Sequence, residues 1–309
     1  MHRKRHRWLA GIVALAIVLL AAAMVFGPRT IEESEFVMGS MIRFTAWTRG
    51  GNYSFGHALY YVEELEEELN AARDAPAFAE AVMERSGGAF NPYLGALAAL
   101  WNIDGKDGAP PRVPSQAEID QALQERKHDP GAYGKGMACD VALRELKKGY
   151  GLSGVVIDLG GNIVTYGQKS FWQRFQIALR DPLGGPNDTM GVFALKGTRF
   201  LSTSGSYEKY FEQGGGRWHH IFDPETGYPA EREPGLASVT VVTTDAVENA
   251  GAVGDALSTA CFVLGYDASQ DLLETYKCAA IFVYAGGAVR ASGDVRNYFT
   301  LDEDRYHWE

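Results

Sequence analysis

"SVTVVTTDAVENAGAVGDALSTACFVLG", residues 238–265, places a strand directly ahead of a helix and decides the kind of fold to expect. Ser238 to Thr244 alternates in the manner of a β-strand. Asp245 to Leu264 predicts one long helix. "AAIFVYAGG", residues 279–287, then predicts a final buried strand. A sheet covered by at least one helix is therefore the expected core.

Further strands and helices are mixed along the chain without the regular spacing of βαβ units. The predicted strands are 41–47, "VVIDL" (155–159), "FQIALRDP" (175–182) and "MGVFALKG" (190–197), and the predicted helices are 60–72, 78–85, 115–126 and 138–148. Within the first helix, the acidic run "EELEEEL" is typical of a solvated face. This order predicts a single domain of the α+β (mixed α/β) class.

Charge is distributed unevenly over the 309 residues, whose formal net charge is −10. The first thirty residues hold five basic side chains and no acid, so the remainder carries about −15. Such a body repels nucleic acid, which excludes that class of partner. The three cysteines are odd in number and lack CxxC spacing, which argues against a disulfide framework or a zinc site.

The N-terminus predicts a membrane segment. Residues 1–7 are a basic n-region, and 18 apolar residues without a charge follow from Leu9 to Phe26. We expect a signal anchor over residues 8–26, a polar linker over 27–37 and a domain over 38–309. That domain is expected on the periplasmic side of the cytoplasmic membrane. Small residues at 21–23 leave a cleaved signal as the alternative.

Asp255 and Thr259 lie four residues apart on the predicted long helix and share one face. A carboxylate and a hydroxyl together suit a hard cation such as Mg²⁺, and the neighbouring Ser258 can add an oxygen. The alternative is a helix-terminal acid with a threonine that bonds within its own helix.

"DPGAYGKGMACD", residues 129–140, has three glycines in its first eight residues and places Lys135 just ahead of a predicted helix. A helix N-terminus and a lysine favour a phosphate ligand, although the GxxxxGK[ST] pattern of a P-loop is absent. A glycine-rich turn with a solvated lysine is the alternative.

"HHIFDPETGYP", residues 219–229, contains an Asp-Pro turn initiator followed by Gly227 at a position suited to positive φ. We expect the side chain of Asp223 to bond its own loop. A neutral His220 held beside such a stiff loop suits a general acid or base. A purely structural histidine is the alternative.

In their order along the chain these stretches resemble the ApbE family, the FAD:protein FMN transferases. The resemblance spans roughly residues 36–300. Its motifs are "MGS" (38), "GGAFNPYLGALAALW" (87), "DPGAYGKGMACD" (129), "VVIDLGGNI" (155), "TSGSYEKYFE" (203), "HHIFDPETGYP" (219) and "GDALSTACFVLG" (254).

The resemblance implies an exported, membrane-associated enzyme that uses FAD and Mg²⁺. It would move the FMN half of FAD onto a Ser or Thr hydroxyl of a target flavoprotein and release AMP. Some members of the family hydrolyse FAD to FMN and AMP instead. A membrane-anchored module that binds FAD without catalysis is the third possibility.

Carried onto this chain, the resemblance also implies roles for single residues. His220 would be the acid or base. The metal ligands would be the carbonyl of Ala132 and the side chains of Asp255, Thr259 and Ser258. The FAD site would comprise Met38, Ala89, Phe90, Asn91, Asp129, Lys135, Gly160, Gly161 and Ile221.

Several positions depart from the family pattern. Only "EELEEELN" stands where an "SELSRFN"-like motif is usual, and the stretch from there to Gly87 is short. Asn91 and Asn162 occupy positions that are often Asp, and Gly134 stands where Ala is frequent. These departures affect the predicted FAD pocket and leave the metal pair intact.

Overall fold

A computed structural model describes residues 29–49, 54–105, 108–149, 151–169, 173–231, 233 and 235–309. The strands are β1 Arg29–Val37, β2 Ser40–Thr48, β3 Leu152–Leu159, β4 Asn162–Gly167, β5 Phe175–Arg180, β6 Thr189–Leu195, β7 Arg199–Gly205, β8 Tyr210–Gln213, β9 Gly216–His219, β10 Leu236–Thr243, β11 Ala279–Tyr284, β12 Ala288–Ser292, β13 Phe299–Leu301 and β14 His307–Trp308. The helices are α1 Gly56–Ala71, α2 Ala77–Arg85, α3 Gly95–Trp101, α4 Gln116–Gln124, α5 Gly134–Leu146, α6 Ala250–Leu264 and α7 Gln270–Thr275.

A nine-stranded sheet forms the centre, in the order β1-β2-β3-β4-β7-β10-β11-β12-β14. Its neighbours are antiparallel except β12 and β14, which run parallel. A second sheet has the order β13-β6-β5, and β8 pairs with β9 as a separate hairpin. The predicted mixed α/β class is confirmed, and the second sheet makes the fold three layers deep.

The middle strands of the central sheet are buried on both faces, because their side chains alternate between two cores. In β11, Phe282 packs towards the helices while Ile281 packs towards the second sheet. Such two-sided burial explains why "AAIFVY" is continuously apolar. The helix-side core joins the sheet to α1, α2, α5 and α6. A small third core around Trp101 and Phe222 lies beside α3 and α4.

Helices α5 and α6 cross at a contact between two glycines. A Cβ added to Gly136 would lie 2.2 Å from the carbonyl oxygen of Gly251, and one added to Gly251 would lie 2.4 Å from that of Gly136. Asp140 seals the crossing, because its carboxylate accepts the N–H groups of Gly251 and Ala252, each at 2.9 Å. This contact brings the glycine-rich segment of α5 against the Asp255 helix.

Several element boundaries differ from the prediction. The long helix begins at Ala250 rather than at 245, and α5 begins at Gly134 rather than at 138, so Lys135 lies in its first turn. The segment "AAIFVY" is not the final strand, because β12, β13 and β14 follow it. The start of α5 was not predicted because its first turn is rich in glycine, which has a low helix propensity.

The predicted linker over 27–37 is wrong for its described residues, which form β1 and pair with β2 along their full length. Polar side chains concealed this strand because it lies at the sheet edge and exposes most of its residues. The predicted anchor over 8–26 and the n-region over 1–7 lie outside the described residues. Among the residues described, no helix is both long and apolar enough to cross a bilayer.

Candidate active site

Two cavities meet at one end of the central sheet. The larger has a volume of about 840 Å³ and the smaller of about 220 Å³. The larger is bordered by the β1–β2 and β3–β4 turns, by α1 and by the start of α5. Six residues line both cavities and mark their junction: Asp129, Gly131, Lys135, Thr203, Glu208 and Lys209.

Asp255 points from α6 into the smaller cavity. Its carboxylate accepts the N–H of Gly136 in the first turn of α5 at 2.9 Å, so it lies against the positive end of that helix. Asn162 also hydrogen-bonds this carboxylate. Burial raises the pKa of Asp255, while the charge of Lys135 and both hydrogen bonds act in the opposite direction. A buried carboxylate facing a cavity favours a cation beside it.

Three of the predicted metal ligands face one cavity: the side chains of Asp255 and Thr259, and Ala132. Carboxylate, hydroxyl and carbonyl oxygens are donors that Mg²⁺ accepts, so the donor chemistry fits this ion. Within the described part of the chain, no three His, Cys, Asp or Glu side chains cluster as a metal site. A magnesium ion here would thus depend on one carboxylate and on neutral oxygens.

Ser258, the fourth predicted ligand, is placed elsewhere. It is fully buried and does not line the smaller cavity. Its hydroxyl donates to the Asp255 carbonyl at 2.8 Å and lies 2.8 Å from the hydroxyl of Ser204. The structure therefore uses Ser258 to fix the α6 backbone behind Asp255, and its role as a ligand stays a prediction.

Lys135 lies at the junction of the two cavities and belongs to the first turn of α5. The segment before it is held by Asp129, whose side chain accepts the N–H of Gly131 at 2.9 Å and caps the short 3-10 turn Pro130–Ala132. A lysine at a helix N-terminus makes this junction suited to an anion.

His220 lines the smaller cavity immediately after β9. Its backbone N–H donates to the carbonyl of Lys209 at 3.2 Å, and its ring Nδ1 lies 3.3 Å from the same oxygen. Burial lowers the pKa of His220 to about 3, and the charges of Lys209 and Lys135 act in the same direction. The ring is therefore neutral near pH 7, with Nδ1 as the donor and Nε2 available to accept a proton.

The loop after His220 has the predicted construction. The carboxylate of Asp223 accepts the N–H of Glu225 at 2.9 Å, and Gly227 has a φ of 71°. The indole of Trp101 then donates to the carbonyl of Gly227 at 3.0 Å. The preceding His219 is structural, because its Nδ1 accepts the N–H of Ile221 at 3.3 Å.

Met38 lines the larger cavity in a left-handed conformation, with a φ of 54°. It forms the two-residue turn between β1 and β2 together with Gly39, whose φ is 67°. Such turns strongly favour Asn or Gly at the first position, so a methionine there carries strain. Gly160 and Gly161 form the equivalent turn between β3 and β4 on the same cavity.

The remaining predicted FAD residues line the smaller cavity: Ala89, Phe90, Asn91 and Ile221. Phe90 and Ile221 give this cavity a buried apolar wall. The side-chain oxygen of Asn91 accepts the N–H of Tyr93 at 2.9 Å and stabilises the turn that follows. The structure thus gathers every predicted site residue except Ser258 around two connected cavities.

Sequence reasoning missed several residues that line the cavities. The turn after β7 supplies Tyr207, Glu208 and Lys209, from a segment recognised only as part of a motif. Glu66 and Asn70 come from the acidic helix, whose run of charges predicts a solvated face. Their spacing of four residues places them on one face of the helix, but the sequence does not show which segments pack against that face.

This chain is similar in sequence to one family of known proteins. The model of the ApbE family matches residues 73–282. The chain belongs to the ApbE family. A protein of Treponema pallidum (strain Nichols) named FAD:protein FMN transferase is 31% identical over 355 residues, covering 93% of this chain and 94% of that protein. A protein of the same name from Klebsiella pneumoniae (strain 342) is 34% identical and covers 58% of each chain.

Solved ApbE structures agree with this fold. The crystal structure of an ApbE protein from Thermotoga maritima has a TM-score of 0.70 at 26% identity and covers 87% of this chain and 99% of that one. The flavin transferase ApbE from Vibrio cholerae has a TM-score of 0.71 at 19% identity and supports the fold alone. The structural match covers 88% of this chain and 99% of the Vibrio cholerae chain.

Proposed function

We propose that this protein transfers the FMN moiety of FAD to a Ser or Thr hydroxyl of a target flavoprotein and releases AMP, in a magnesium-dependent reaction. The names of its relatives support the transferase activity. The observation that carries the proposal within this chain is the junction of two cavities at Lys135, with Asp255 and His220 in the smaller one.

The shape of the paired cavities suits FAD. This molecule has two aromatic ends joined by a pyrophosphate, and here two pockets are joined at a basic residue on a helix N-terminus. Lys135 and the N–H groups of α5 would neutralise a pyrophosphate at the junction. The protein body is acidic, so this local positive charge is needed for any phosphate ligand.

Magnesium would be held by Asp255, Thr259 and the carbonyl of Ala132. When bound, it would supply positive charge to the phosphate oxygens in the transition state. The buried Asp255 would remain ionised beside it, because a nearby cation favours the charged form of a carboxyl. Gly136 and Asn162 orient the carboxylate in advance.

His220 would accept the proton of the attacking hydroxyl at Nε2, while its Nδ1 donates to the carbonyl of Lys209. The hydroxyl oxygen forms a bond to the phosphorus of the FMN half. The bond from that phosphorus to the bridging oxygen breaks, and AMP leaves with this oxygen. Lys135, which lines both cavities, would stabilise the negative charge that develops on the leaving phosphate.

Hydrolysis of FAD is the second candidate function. The same residues would then deliver water to the same phosphorus, giving free FMN and AMP. A module that binds FAD without catalysis is less well supported, because it would not need a buried carboxylate, a neutral histidine and a lysine around one junction.

A mass measurement tests the proposal. The full chain is incubated with FAD, Mg²⁺ and a tagged flavoprotein domain that carries an acceptor threonine. We expect the acceptor to gain the mass of FMN and in-gel flavin fluorescence, with AMP released in equal amount and both changes blocked by EDTA. Free FMN with an unmodified acceptor would support hydrolysis, and intact FAD in the complex would refute catalysis.

We also propose that the protein is anchored in the cytoplasmic membrane by residues 8–26, with the body on the periplasmic side. The basic residues before the apolar run and its length support this orientation. Membrane fractionation with alkaline extraction, followed by protease treatment of spheroplasts, tests it. Release at high pH would contradict the anchor.

A further inference from the structure

The acidic helix α1 carries a residue whose task the family resemblance does not explain. Glu66 is half-buried, unlike its neighbour Glu67, which is exposed. Its carboxylate accepts the backbone N–H of Met38 at 2.9 Å, over a separation of 28 residues. Both residues line the larger cavity.

Glu66, the acceptor of this hydrogen bond, holds Met38 in a strained backbone conformation. Met38 has a φ of 54°, and a residue with a side chain is disfavoured in the left-handed region and persists there only where its surroundings hold it. Asparagine or glycine would take this turn position more readily. The hydrogen bond to Glu66 restrains the backbone of this turn from outside the β1–β2 hairpin.

The side chain of Met38 is held as well. A Cβ on Gly134 would lie 3.1 Å from its Cε and 3.4 Å from Cδ1 of Leu69, so Met38 and α1 pack together over the first residue of α5. On the other side of the turn, the hydroxyl of Ser40 would lie 2.6 Å from a Cβ on Gly160. The β1–β2 turn therefore packs between α5 on one side and the Gly160-Gly161 turn on the other.

From this geometry we infer that Glu66 is a positioning residue, which holds the left-handed Met38 turn as a wall of the larger cavity for the flavin nucleotide. It acts through the backbone of Met38 rather than on the reacting phosphorus. The inference rests on the proposed function, because it assigns FAD to this cavity.

The role of Glu66 predicts a specific pattern among variants of the full chain. Glu66→Ala removes the acceptor and should raise KM for FAD roughly tenfold, the factor that corresponds to about 1.4 kcal/mol of strain. Its kcat should change by less than about twofold, because the chemistry lies elsewhere. Glu66→Gln keeps an oxygen acceptor and should stay within about twofold of the wild type in both constants.

Two comparisons separate positioning from a general effect on stability. Glu67→Ala removes the same charge from an exposed position on the same helix and should leave KM unchanged. In a Met38→Gly background the turn needs no restraint, because glycine adopts positive φ freely. The effect of Glu66→Ala on KM should there shrink to less than about threefold.

Direct FAD titration of the wild-type chain comes first and keeps the two proposals distinguishable. If the wild type binds no FAD, the proposed function fails, and this inference fails with it. If the wild type binds and turns over FAD while Glu66→Ala alters only the melting temperature, the inference alone is overturned. A Glu66→Gln variant as weak as Glu66→Ala would also overturn it, since charge rather than the hydrogen bond would then matter.

Discussion

At the scale of single residues, the site depends on groups whose environment changes their chemistry. His220 is neutral because burial and two lysines lower its pKa to about 3. Asp255 is buried beside a helix N-terminus, whose positive end favours the ionised form of the carboxyl group. The two residues lie in the same small cavity although 35 positions separate them in the chain.

Replacing His220 by alanine should lower kcat for transfer by about 100-fold or more, the usual contribution of a general base. The Kd for FAD should change by less than about threefold, because the ring mainly serves the attacking hydroxyl. Stopped-flow turnover and FAD titration check the two values. A loss confined to affinity would assign His220 to binding.

The pH dependence follows from the same histidine. A base whose pKa is lowered to about 3 is deprotonated at every pH above that value. In the free enzyme, kcat/KM should therefore show no acid limb attributable to His220 near pH 6.5, the ordinary pKa of histidine. A limb near pH 6.5 that disappears in His220→Ala would contradict a ring that is neutral at that pH.

Asp255→Asn should abolish the magnesium-dependent activity, with a loss of more than about 100-fold. The amide oxygen can still accept the N–H of Gly136, so the fold should survive. Turnover at several Mg²⁺ concentrations and a melting curve check both statements. Turnover equal to that of the wild type would refute the assignment of Asp255 to the metal.

At the scale of elements, the site is assembled where α5 crosses α6. The crossing is close because glycines face each other, and it places Lys135 at the junction of the two cavities and Asp255 in the smaller one. The third core, around Trp101, stabilises the loop after His220, because the Trp101 indole donates to the carbonyl of Gly227. Both arrangements use packing to fix polar groups.

Gly136→Ala should destabilise the protein by about 1–3 kcal/mol or more, since overpacking of a rigid contact forces the helices apart. The new Cβ would lie 2.2 Å from the carbonyl oxygen of Gly251 and 2.8 Å from Cβ of Asp255. Gly286→Ala is a matched control, because nothing lies within 4 Å of its added Cβ. Chemical denaturation compares the two variants, and equal stability would contradict the close crossing.

At the scale of the whole molecule, the central sheet determines where the domain begins. The boundary predicted at residue 38 would remove β1, which pairs with β2 from Arg29 to Val37. β2 would then become an exposed edge with unpaired backbone groups. The catalytic body therefore includes the strand that follows the predicted anchor.

A protein that starts at residue 28 should be monodisperse and melt cooperatively. One that starts at residue 38 should melt at a lower temperature and aggregate, because the backbone N–H and C=O groups of β2 lose their partners in β1. Size-exclusion chromatography and thermal melting compare the two proteins. Identical behaviour would mean that β1 contributes nothing to the sheet.

Local sequence patterns were sufficient to predict the class of fold, the family motifs and most elements. Alternating apolar residues predicted β10, and the helix predicted over 115–126 is α4, which opens with a capping box of Ser115 and Glu118. The turn chemistry of Asp223 and Gly227 was predicted as well. All these signals are local, because each depends on residues within a few positions of one another.

Which polar groups meet follows from the three-dimensional packing alone. It joined Glu66 to Met38, turned Ser258 away from the cavity and placed β1 in the sheet. It also set the ring of His220 against the carbonyl of Lys209. The physical reason is distance along the chain: burial and hydrogen-bond partners depend on packing between remote segments, and the residue pattern of one segment does not specify its partner.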